Sequence, residues 1–380
     1  MHYRDAINIE DLRAIARRRL PRFVFTYVDG GAEDEVTLRG NRDAVARLRF
    51  RPRTLANVSA RDLSTQLLGR PSALPVVVGP TGLNGLSWRD GDMELARAAS
   101  AASVPFAMST VSMSLVEDIA REVPGRLWLQ AYVFSDRRIT EAIIGRARDA
   151  GFECVMLTSD FPVAGKRERD MRTGLLPHQK FTPATKLDML MHPRWLATVA
   201  TRRPRFVNVE RELQGGQDVN AFVGHGMFDP SFCWDDIARF RDLWPRKLIL
   251  KGVLRADDAE RAVAAGIDGI VLSNHGGRQL DGAISGIEAL PEVVRAIGGR
   301  ASILVDGGVR RGSDIAKAVA LGAEGVILGR APVYGLAAGG APGVSRAIAI
   351  LADELDRTLA LTGCRNIAAL TADLIFAGGG

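Results

Sequence analysis

The sequence is poor in cysteine. It has three, Cys154, Cys233 and Cys364, which lie far apart and form no CxxC pair. This argues against a disulfide framework and against the common zinc-site spacings, so no metal is expected and a reducing cytoplasmic compartment is the default. The first twelve residues mix charged and apolar side chains and lack the apolar core of a signal peptide.

The sequence also lacks an apolar run typical of a transmembrane helix. One uncharged stretch, 98–116, is 19 residues long, which is near the length that crosses a bilayer. It contains Pro105 and six serine or threonine residues, so we predict the end of a helix, a buried strand and a loop there. The hydrophobic content of 47% and the charged content of 25% are typical of a soluble globular enzyme.

Positive charge is concentrated in one segment. Residues 172–211 contain eight basic and two acidic residues, a net charge of +6 that equals the net charge of the whole chain. Apolar residues such as Met189 and Trp195 lie among them, so this basic segment is suited to the surface of an anionic bilayer. A solvated lid is the alternative. No nucleic-acid-binding motif accompanies these charges, so nucleic acid is not an expected partner.

Eight short apolar runs alternate with helix-like stretches from about residue 75 onward. Because the runs are continuous rather than alternating, they predict parallel strands buried on both faces. The repeated strand–helix order predicts an α/β fold, a (β/α)₈ TIM barrel, within a single domain over 1–380. An N-terminal helical extension (1–60), an irregular insertion after strand four (174–229) and a closing helix (343–362) complete it. The eight runs are 74–78, 106–108, 127–129, 154–157, 248–250, 269–272, 302–305 and 325–328.

A polar or glycine residue follows every one of these runs. In such barrels the chemistry lies on the loops at the C-terminal ends of the strands. We therefore expect one ligand that contacts most of the barrel mouth. The residues are Pro80-Thr81-Gly82, Ser109, Gln130 with Tyr132, Thr158 with Asp160, Lys251, Ser273 with His275, Asp306-Gly307-Gly308, and Gly329-Arg330.

The sixth strand end carries the most informative stretch, SNHGGRQLDG at 273–282. His275 can transfer a proton near neutral pH, and Arg278 offers a planar fork that matches a carboxylate. The adjacent glycines allow close approach of the backbone to a flat ligand. A structural histidine is the alternative, but the neighbouring residues favour a catalytic one.

The last two strand ends predict a phosphate site. Barrel phosphate sites commonly lie after strands seven and eight, where glycine N–H groups point at the anion. Gly307, Gly308 and Gly329 supply such groups here, and Arg310 and Arg330 add two cationic forks. Glycine turns with solvated arginines are the alternative.

Several motifs together resemble the FMN-dependent L-2-hydroxy acid oxidases and dehydrogenases, from about residue 8 to about residue 366. Within that family the resemblance is strongest to members that oxidise (S)-mandelate. The motifs are Tyr27 followed by Gly30-Gly31-Ala32-Glu33-Asp34, Pro80-Thr81-Gly82, Gln130-Ala131-Tyr132, Lys251-Gly252, the stretch 273–281 and Asp306-Gly307-Gly308.

The resemblance implies an FMN site and assigns residues to it. Pro80, Thr81 and Gly82 would border the flavin ring, and Lys251 would face its N1/O2 edge. The remaining contacts would come from Ser109, Gln130, Thr158 and Ser273 to the flavin, Asp306 to the ribityl chain, and Gly307, Gly308, Arg310, Gly329 and Arg330 around the phosphate.

The resemblance also assigns the substrate side. His275 would be the general base, oriented by Asp160, while two electrons pass to the flavin. Tyr27 and Arg278 would bind the substrate carboxylate, and Tyr132 and Arg167 would surround the hydroxy acid. From the residues alone, other interpretations stay open: the tyrosines could belong to the core, Arg167 to a solvated charge run, and Lys251 could form a Schiff base.

The substrate and the electron acceptor are predicted from departures within the family. Val111 stands where glycolate-oxidising members have tryptophan, which leaves room for an aromatic substituent. The stretches 79–85 and 242–245 resemble the mandelate-oxidising members, whereas 228–231 resembles the lactate-oxidising members. Gly82 replaces the alanine typical of the oxidases.

We therefore expect oxidation of (S)-mandelate to phenylglyoxylate, with electrons passed to a membrane quinone or carrier. Peripheral attachment to the inner face of the cell membrane through 172–211 and a homotetramer are also expected. The alternatives are an L-lactate dehydrogenase, a 2-hydroxy acid oxidase that forms hydrogen peroxide, an FMN-binding barrel isomerase, and a non-catalytic membrane-attached scaffold.

Overall fold

A closed barrel of eight parallel strands forms the centre of the molecule. The computed structural model describes residues 1–174, 181–199, 205–213 and 227–376. The barrel confirms the (β/α)₈ fold that the apolar runs predict. The strands are β1 Arg49–Phe50, β2 Thr65–Leu67, β3 Arg70–Ser72, β4 Val76–Val78, β5 Phe106–Ser109, β6 Leu127–Ala131, β7 Cys154–Thr158, β8 Lys247–Val253, β9 Gly269–Leu272, β10 Ser302–Asp306, β11 Gly325–Leu328 and β12 Ile375–Phe376, of which β4 to β11 form the barrel in chain order.

Helices follow every barrel strand and cover the outside of the barrel. The stretch 98–116 is confirmed as the end of a helix, a buried strand and a loop. The helices are α1 Ile9–Arg19, α2 Arg22–Asp29, α3 Val36–Arg47, α4 Gly91–Ala101, α5 Val116–Glu122, α6 Arg137–Asp149, α7 Glu168–Thr173, α8 Pro183–Leu190, α9 Pro193–Thr198, α10 Val207–Glu212, α11 Ile237–Leu243, α12 Ala256–Ala264, α13 Gly286–Ile297, α14 Gly312–Ala320 and α15 Arg330–Thr362.

The barrel strands are buried on both faces, which explains their continuous apolar sequences. One set of side chains, with Val77, Ile249 and Ile327 among them, comes from every barrel strand and fills the interior. Leu67 and Leu68 of the β2–β3 hairpin join this cluster and close the N-terminal end of the barrel. The alternate side chains pack outward against the helices. The hairpin does not cover the C-terminal end of the barrel, where a ligand can bind.

The closing helix predicted over 343–362 is confirmed as the second part of α15, which consists of two helical segments joined by a kink. The backbone leaves helical geometry at Gly339 and Gly340, and a shorter helical segment that begins at Arg330 precedes this kink. Of the described helices, only α15 is long and apolar enough to cross a membrane. Because 67% of its most apolar 18-residue stretch is buried within the protein, we interpret it as a core helix.

The insertion predicted over 174–229 lies after the fourth barrel strand, as expected, but its described parts are not irregular, because they contain the short helices α8, α9 and α10. Pro183 and Pro193 stand in the first turns of α8 and α9, where a missing N–H group costs nothing. The Trp195 indole donates a hydrogen bond to the Leu86 carbonyl at 2.7 Å, which joins α9 to the barrel mouth. Lys180, Arg202 and Arg203 of the basic segment lie outside the described residues.

Candidate active site

A cleft lies over the C-terminal ends of the barrel strands and contains about 1080 Å³ of empty space, part of it open to solvent. Its size matches that of small-molecule and cofactor sites. Most of the predicted site residues line it: Tyr27, Pro80, Thr81, Gly82, Ser109, Gln130, Tyr132, Arg167, Lys251, His275, Arg278, Asp306, Gly307, Gly308, Arg310, Gly329 and Arg330. Thr158, Asp160 and Ser273 lie directly behind these lining residues and reach the cleft through hydrogen bonds to them.

His275 has a partner on each ring nitrogen. Asp160 Oδ1 lies 3.0 Å from Nδ1, and the Tyr132 hydroxyl lies 3.2 Å from Nε2. The carboxylate keeps the proton on Nδ1, so the lone pair of Nε2 points toward Tyr132 and the cleft. This arrangement can accept a proton from a ligand at Nε2 and stabilise the imidazolium that results.

The electrostatic environment keeps the imidazole neutral. Burial lowers the pKa of His275, and this outweighs the opposing effect of the Asp160 carboxylate. Burial alone would raise the pKa of Asp160, but His275 and Lys251 together hold it below its usual value. Burial raises the pKa of the Tyr132 phenol. The site therefore contains a neutral base, an ionised carboxylate and a protonated phenol near neutral pH.

The loop that carries His275 has a constrained backbone. His275 itself has a positive φ of 58°, and Gly277 follows with a φ of 75°. A Cβ atom at Gly277 would lie 2.6 Å from the backbone nitrogen of Leu38, so only glycine fits there. Positive φ at a non-glycine residue costs free energy and is concentrated at functional sites.

An asparagine pair that the sequence did not reveal holds this loop. Asn41 of α3 and Asn274 exchange two side-chain hydrogen bonds of 2.9 and 2.8 Å, and Asn274 also accepts from the Gly277 N–H. The two asparagines are 233 positions apart in the chain. No local pattern could have predicted the pairing, because it depends on the position of α3 above the barrel mouth.

Lys251 is a fixed cation beneath the cleft. Its ammonium group donates to Ser273 Oγ at 2.8 Å and lies 3.2 Å from Asp306 Oδ2. Burial alone would lower the pKa of Lys251, but the Asp306 and Asp160 carboxylates raise it above its usual value. A lysine that stays protonated is a poor nucleophile, so this geometry argues against the Schiff-base interpretation.

A row of hydrogen bonds joins three neighbouring strand ends. Ser109 Oγ donates to Gln130 Oε1 at 2.7 Å, and Gln130 Nε2 donates to Thr158 Oγ1 at 2.7 Å. The row fixes the orientation of the Gln130 amide. Ser109 and Gln130 present polar groups to the cleft, whereas Thr158 supports them from behind.

Two arginines give one side of the cleft a strong positive charge. Arg278 donates to the carbonyls of Tyr27 and Gly30 at 2.6 and 2.9 Å, and its guanidinium lies 4.8 Å from the centre of the Tyr27 ring. Within the described ranges no acidic side chain forms an ion pair with Arg167, and burial together with Arg278 lowers its pKa to about 10. Asp170, 3.9 Å from Arg278, offsets one of the two charges, and the buried positive charge that remains suits this side to a carboxylate ligand.

The other side of the cleft is suited to a phosphate and a hydroxylated chain. Asp306 Oδ1 and Arg310 Nε are buried and have no hydrogen-bond partner among the described residues. A Cβ atom at Gly329 would meet no atom within 4 Å, so its backbone is open to a ligand. Burial lowers the pKa of Arg330 to about 10, which an anion would reverse. These features fit the ribityl hydroxyls and phosphate of FMN.

Two supporting residues were not predicted from the sequence. Asp92 is buried and accepts hydrogen bonds from Asn84 Nδ2 at 2.6 Å and from the Met113 N–H at 2.9 Å, which joins the loop at 80–84 to the loop that carries Val111. Gln279 donates to the carbonyls of Asp160 and Val163, both at 2.9 Å. Each joins two loops of the mouth, and such contacts between loops leave no local signal in a sequence.

Comparisons with known proteins agree with this geometry. The family model described as FMN-dependent dehydrogenase matches residues 16–377. The chain is 44% identical to (S)-mandelate dehydrogenase of Pseudomonas putida, over 98% of this chain and 94% of that protein. It is 41% identical to L-lactate dehydrogenase of Pectobacterium atrosepticum, over 96% and 95%. A crystal structure described as monotopic membrane protein (S)-mandelate dehydrogenase has a TM-score of 0.93 and 43% identity, over 98% of this chain and all of that one.

Proposed function

This chain belongs to the FMN-dependent dehydrogenase family, and on that premise we propose that it oxidises an L-2-hydroxy acid to the 2-oxo acid, with (S)-mandelate as the preferred substrate. FMN is the cofactor, and when bound it accepts the two electrons that leave the substrate. With mandelate the product is phenylglyoxylate.

The observation that carries this proposal is the neutral His275 between Asp160 and the cleft. We assign His275 Nε2 as the base that takes a proton from the substrate. Asp160, 3.0 Å from Nδ1, holds the ring in the required tautomer and stabilises the imidazolium. The Tyr132 hydroxyl, 3.2 Å from Nε2, donates to the ring in the free enzyme and is positioned to donate to the substrate hydroxyl oxygen instead.

The substrate carboxylate is assigned to the two arginines. Arg278 is held by the carbonyls of Tyr27 and Gly30, so its position does not depend on a ligand. Arg167 forms no ion pair within the described residues, and the hydroxyl of Tyr27 adds a donor on the same side. Asp170 lies 3.9 Å from Arg278 and is the one carboxylate that pairs with either guanidinium group among the described residues. A substrate carboxylate there compensates the remaining positive charge and orients the 2-hydroxyl group toward His275.

The remaining lining residues are assigned to FMN. Lys251 places a protonated amine next to Asp306, where it stabilises negative charge on a bound flavin. Pro80, Thr81 and Gly82 border the ring, and Ser109, Gln130, Thr158 and Ser273 set or support its polar contacts. The phosphate is assigned to Gly307, Gly308, Arg310, Gly329 and Arg330, and the ribityl chain to Asp306.

The preference for mandelate rests on space around Val111. Val111 lines the cleft, and a Cβ atom at Gly82 would lie 3.1 Å from Val111 Cγ2 and 3.3 Å from the Tyr27 hydroxyl. A small residue at both positions therefore keeps room beside Tyr27 for a phenyl group. The 44% identity to a mandelate dehydrogenase supports the same choice over lactate.

The test is to measure kcat/KM for (S)-mandelate, L-lactate and glycolate with an artificial electron acceptor. We expect mandelate to be the best substrate, and Val111→Trp to lower kcat/KM for mandelate about 10- to 100-fold relative to glycolate, because the indole fills the phenyl space. Leu55→Trp, at a fully exposed site, is the control. Equal losses for mandelate and glycolate would contradict the assignment of Val111.

We further propose that the protein attaches to the inner face of the cell membrane and reduces a quinone or carrier there. In α8 and directly after it, Leu187, Leu190 and Met191 are 61%, 69% and 72% exposed. The basic side chains of Lys186 and Arg194 lie in the same part of the chain and are also exposed. Exposed apolar residues among cations suit an anionic bilayer, to which each cation contributes about 1 kcal/mol. We also propose that the protein forms the homotetramer that the family resemblance implies.

Membrane attachment is testable with vesicles. We expect the protein to sediment with vesicles that contain anionic lipid, less so in high salt, and the triple variant Leu187→Asp, Leu190→Asp, Met191→Asp to stay in solution. Leu361→Asp, at an exposed position of α15, is the matched control and should still sediment. Sedimentation of the triple variant at the level of the control would exclude α8 as the contact surface.

A further inference from the structure

An aromatic cluster lies next to His275. Phe161 is at its centre and is only 8% exposed. The centre of its ring lies 4.9 Å from that of Tyr132, 5.3 Å from that of His275 and 4.4 Å from that of Phe228. The Arg167 guanidinium carbon lies 5.8 Å from the centre of the same ring. One side chain outside the cleft lining thus contacts three residues assigned to the reaction.

Phe161 and its neighbour in the chain, Asp160, contact the same imidazole. The Asp160 carboxylate binds Nδ1 of His275, and the Phe161 phenyl ring packs against the imidazole ring. Two adjacent residues therefore hold the imidazole. Asp160 Oδ2 is buried and has no hydrogen-bond partner among the described residues. Because the Phe161 ring packs against the imidazole, it limits the access of water to the Asp160–His275 pair.

Phe228 packs against both Phe161 and Tyr132. Its ring lies 5.0 Å from that of Tyr132, in a T-shaped arrangement. Backbone hydrogen bonds fix its position, because the Ser135 N–H donates to the Met227 carbonyl at 3.0 Å and the Asp229 N–H donates to the Val133 carbonyl at 3.0 Å. The chain that returns from the basic segment is therefore tied to the end of β6, beside Tyr132.

We propose that Phe161 is a positioning residue, which holds Tyr132, His275 and Arg167 in place and excludes water from the Asp160–His275 pair. It acts through these residues and does not touch the substrate. The inference rests on the proposed function for its effect on turnover, but the protection of His275 from water does not depend on which substrate is oxidised.

The test compares Phe161→Leu and Phe161→Ala with Phe240→Leu, a buried ring of α11 that is remote from the cleft. We expect Phe161→Ala to lower kcat about 10- to 100-fold with a much smaller change in KM, and Phe161→Leu to lie between it and wild type. The acid limb of kcat/KM should move to higher pH in Phe161→Ala, because water removes the burial that lowers the pKa of His275.

Chemical labelling separates this inference from the proposed function. Diethyl pyrocarbonate labels neutral imidazoles, and mass spectrometry of the His275 peptide in the holoenzyme gives its rate against pH. We expect faster labelling and a higher midpoint pH in Phe161→Ala than in Phe240→Leu or wild type, whether or not a hydroxy acid is oxidised. Unchanged labelling of His275 in Phe161→Ala, or an equal change in Phe240→Leu, overturns the inference, whereas a wild type inactive on all hydroxy acids overturns only the proposed function.

Discussion

Replacing His275 by glutamine or asparagine is expected to lower kcat at least about 10³-fold while the protein keeps its FMN and its yellow colour. The expectation follows from the position of the imidazole, because Nε2 is a neutral base directed toward the cleft, on the side of the arginines to which we assign the substrate carboxylate. FMN content per chain and single-turnover reduction of the flavin by (S)-mandelate give the two readouts.

Comparing His275→Asn with His275→Gln separates loss of the base from strain in the backbone at position 275. Asparagine tolerates the φ of 58° at this position better than glutamine does, so His275→Asn keeps the loop and removes only the base. His2→Gln, at an exposed site near the N-terminus, controls for loss of a histidine elsewhere. If either variant at 275 retained most of its turnover, His275 would not be the base.

Replacing Asp160 by asparagine is expected to lower kcat roughly 10²- to 10⁴-fold. An amide can donate to Nδ1, which moves the ring proton to Nε2 and blocks the base. It also leaves the imidazolium without its carboxylate. Asp118→Asn on α5, a partly exposed carboxylate that pairs with Arg121, is the matched control and should retain full activity.

The pH dependence gives a second readout for Asp160. The base acts when neutral, so kcat/KM falls as the pH drops through the pKa of His275, which burial holds below its usual value of about 6.5. Because the Asp160 carboxylate opposes that effect, Asp160→Asn should move the acid limb of its residual activity to still lower pH. A shift to higher pH would show that Asp160 does not act on His275 as assigned.

The sequence was sufficient for the barrel because parallel strands buried on both faces leave continuous apolar runs, such as those at β9 and β11. It also predicted which residues reach the mouth, because the C-terminal end of each strand is the position used for chemistry. Whether each of these residues has its assigned role stays a prediction for the experiments above.

Contacts between distant segments could not be read from the sequence. The hairpin β2–β3 closes the barrel only because Leu67 and Leu68 meet the interior cluster, and nothing in its short strands indicates that. Helix α13 contains Pro291, and because proline is unfavourable inside a helix, the sequence there does not predict one. In the sequence, Phe161 cannot be distinguished from an ordinary core phenylalanine, because its position beside His275 depends on the fold.

The most direct test is an anaerobic titration of the holoenzyme with (S)-mandelate, followed by the flavin absorbance. The predicted result is complete bleaching after about one equivalent of (S)-mandelate per FMN, with phenylglyoxylate as the product. If FMN is fully bound and no 2-hydroxy acid bleaches it, the cleft does not oxidise hydroxy acids, and a barrel isomerase without net redox chemistry becomes the better explanation.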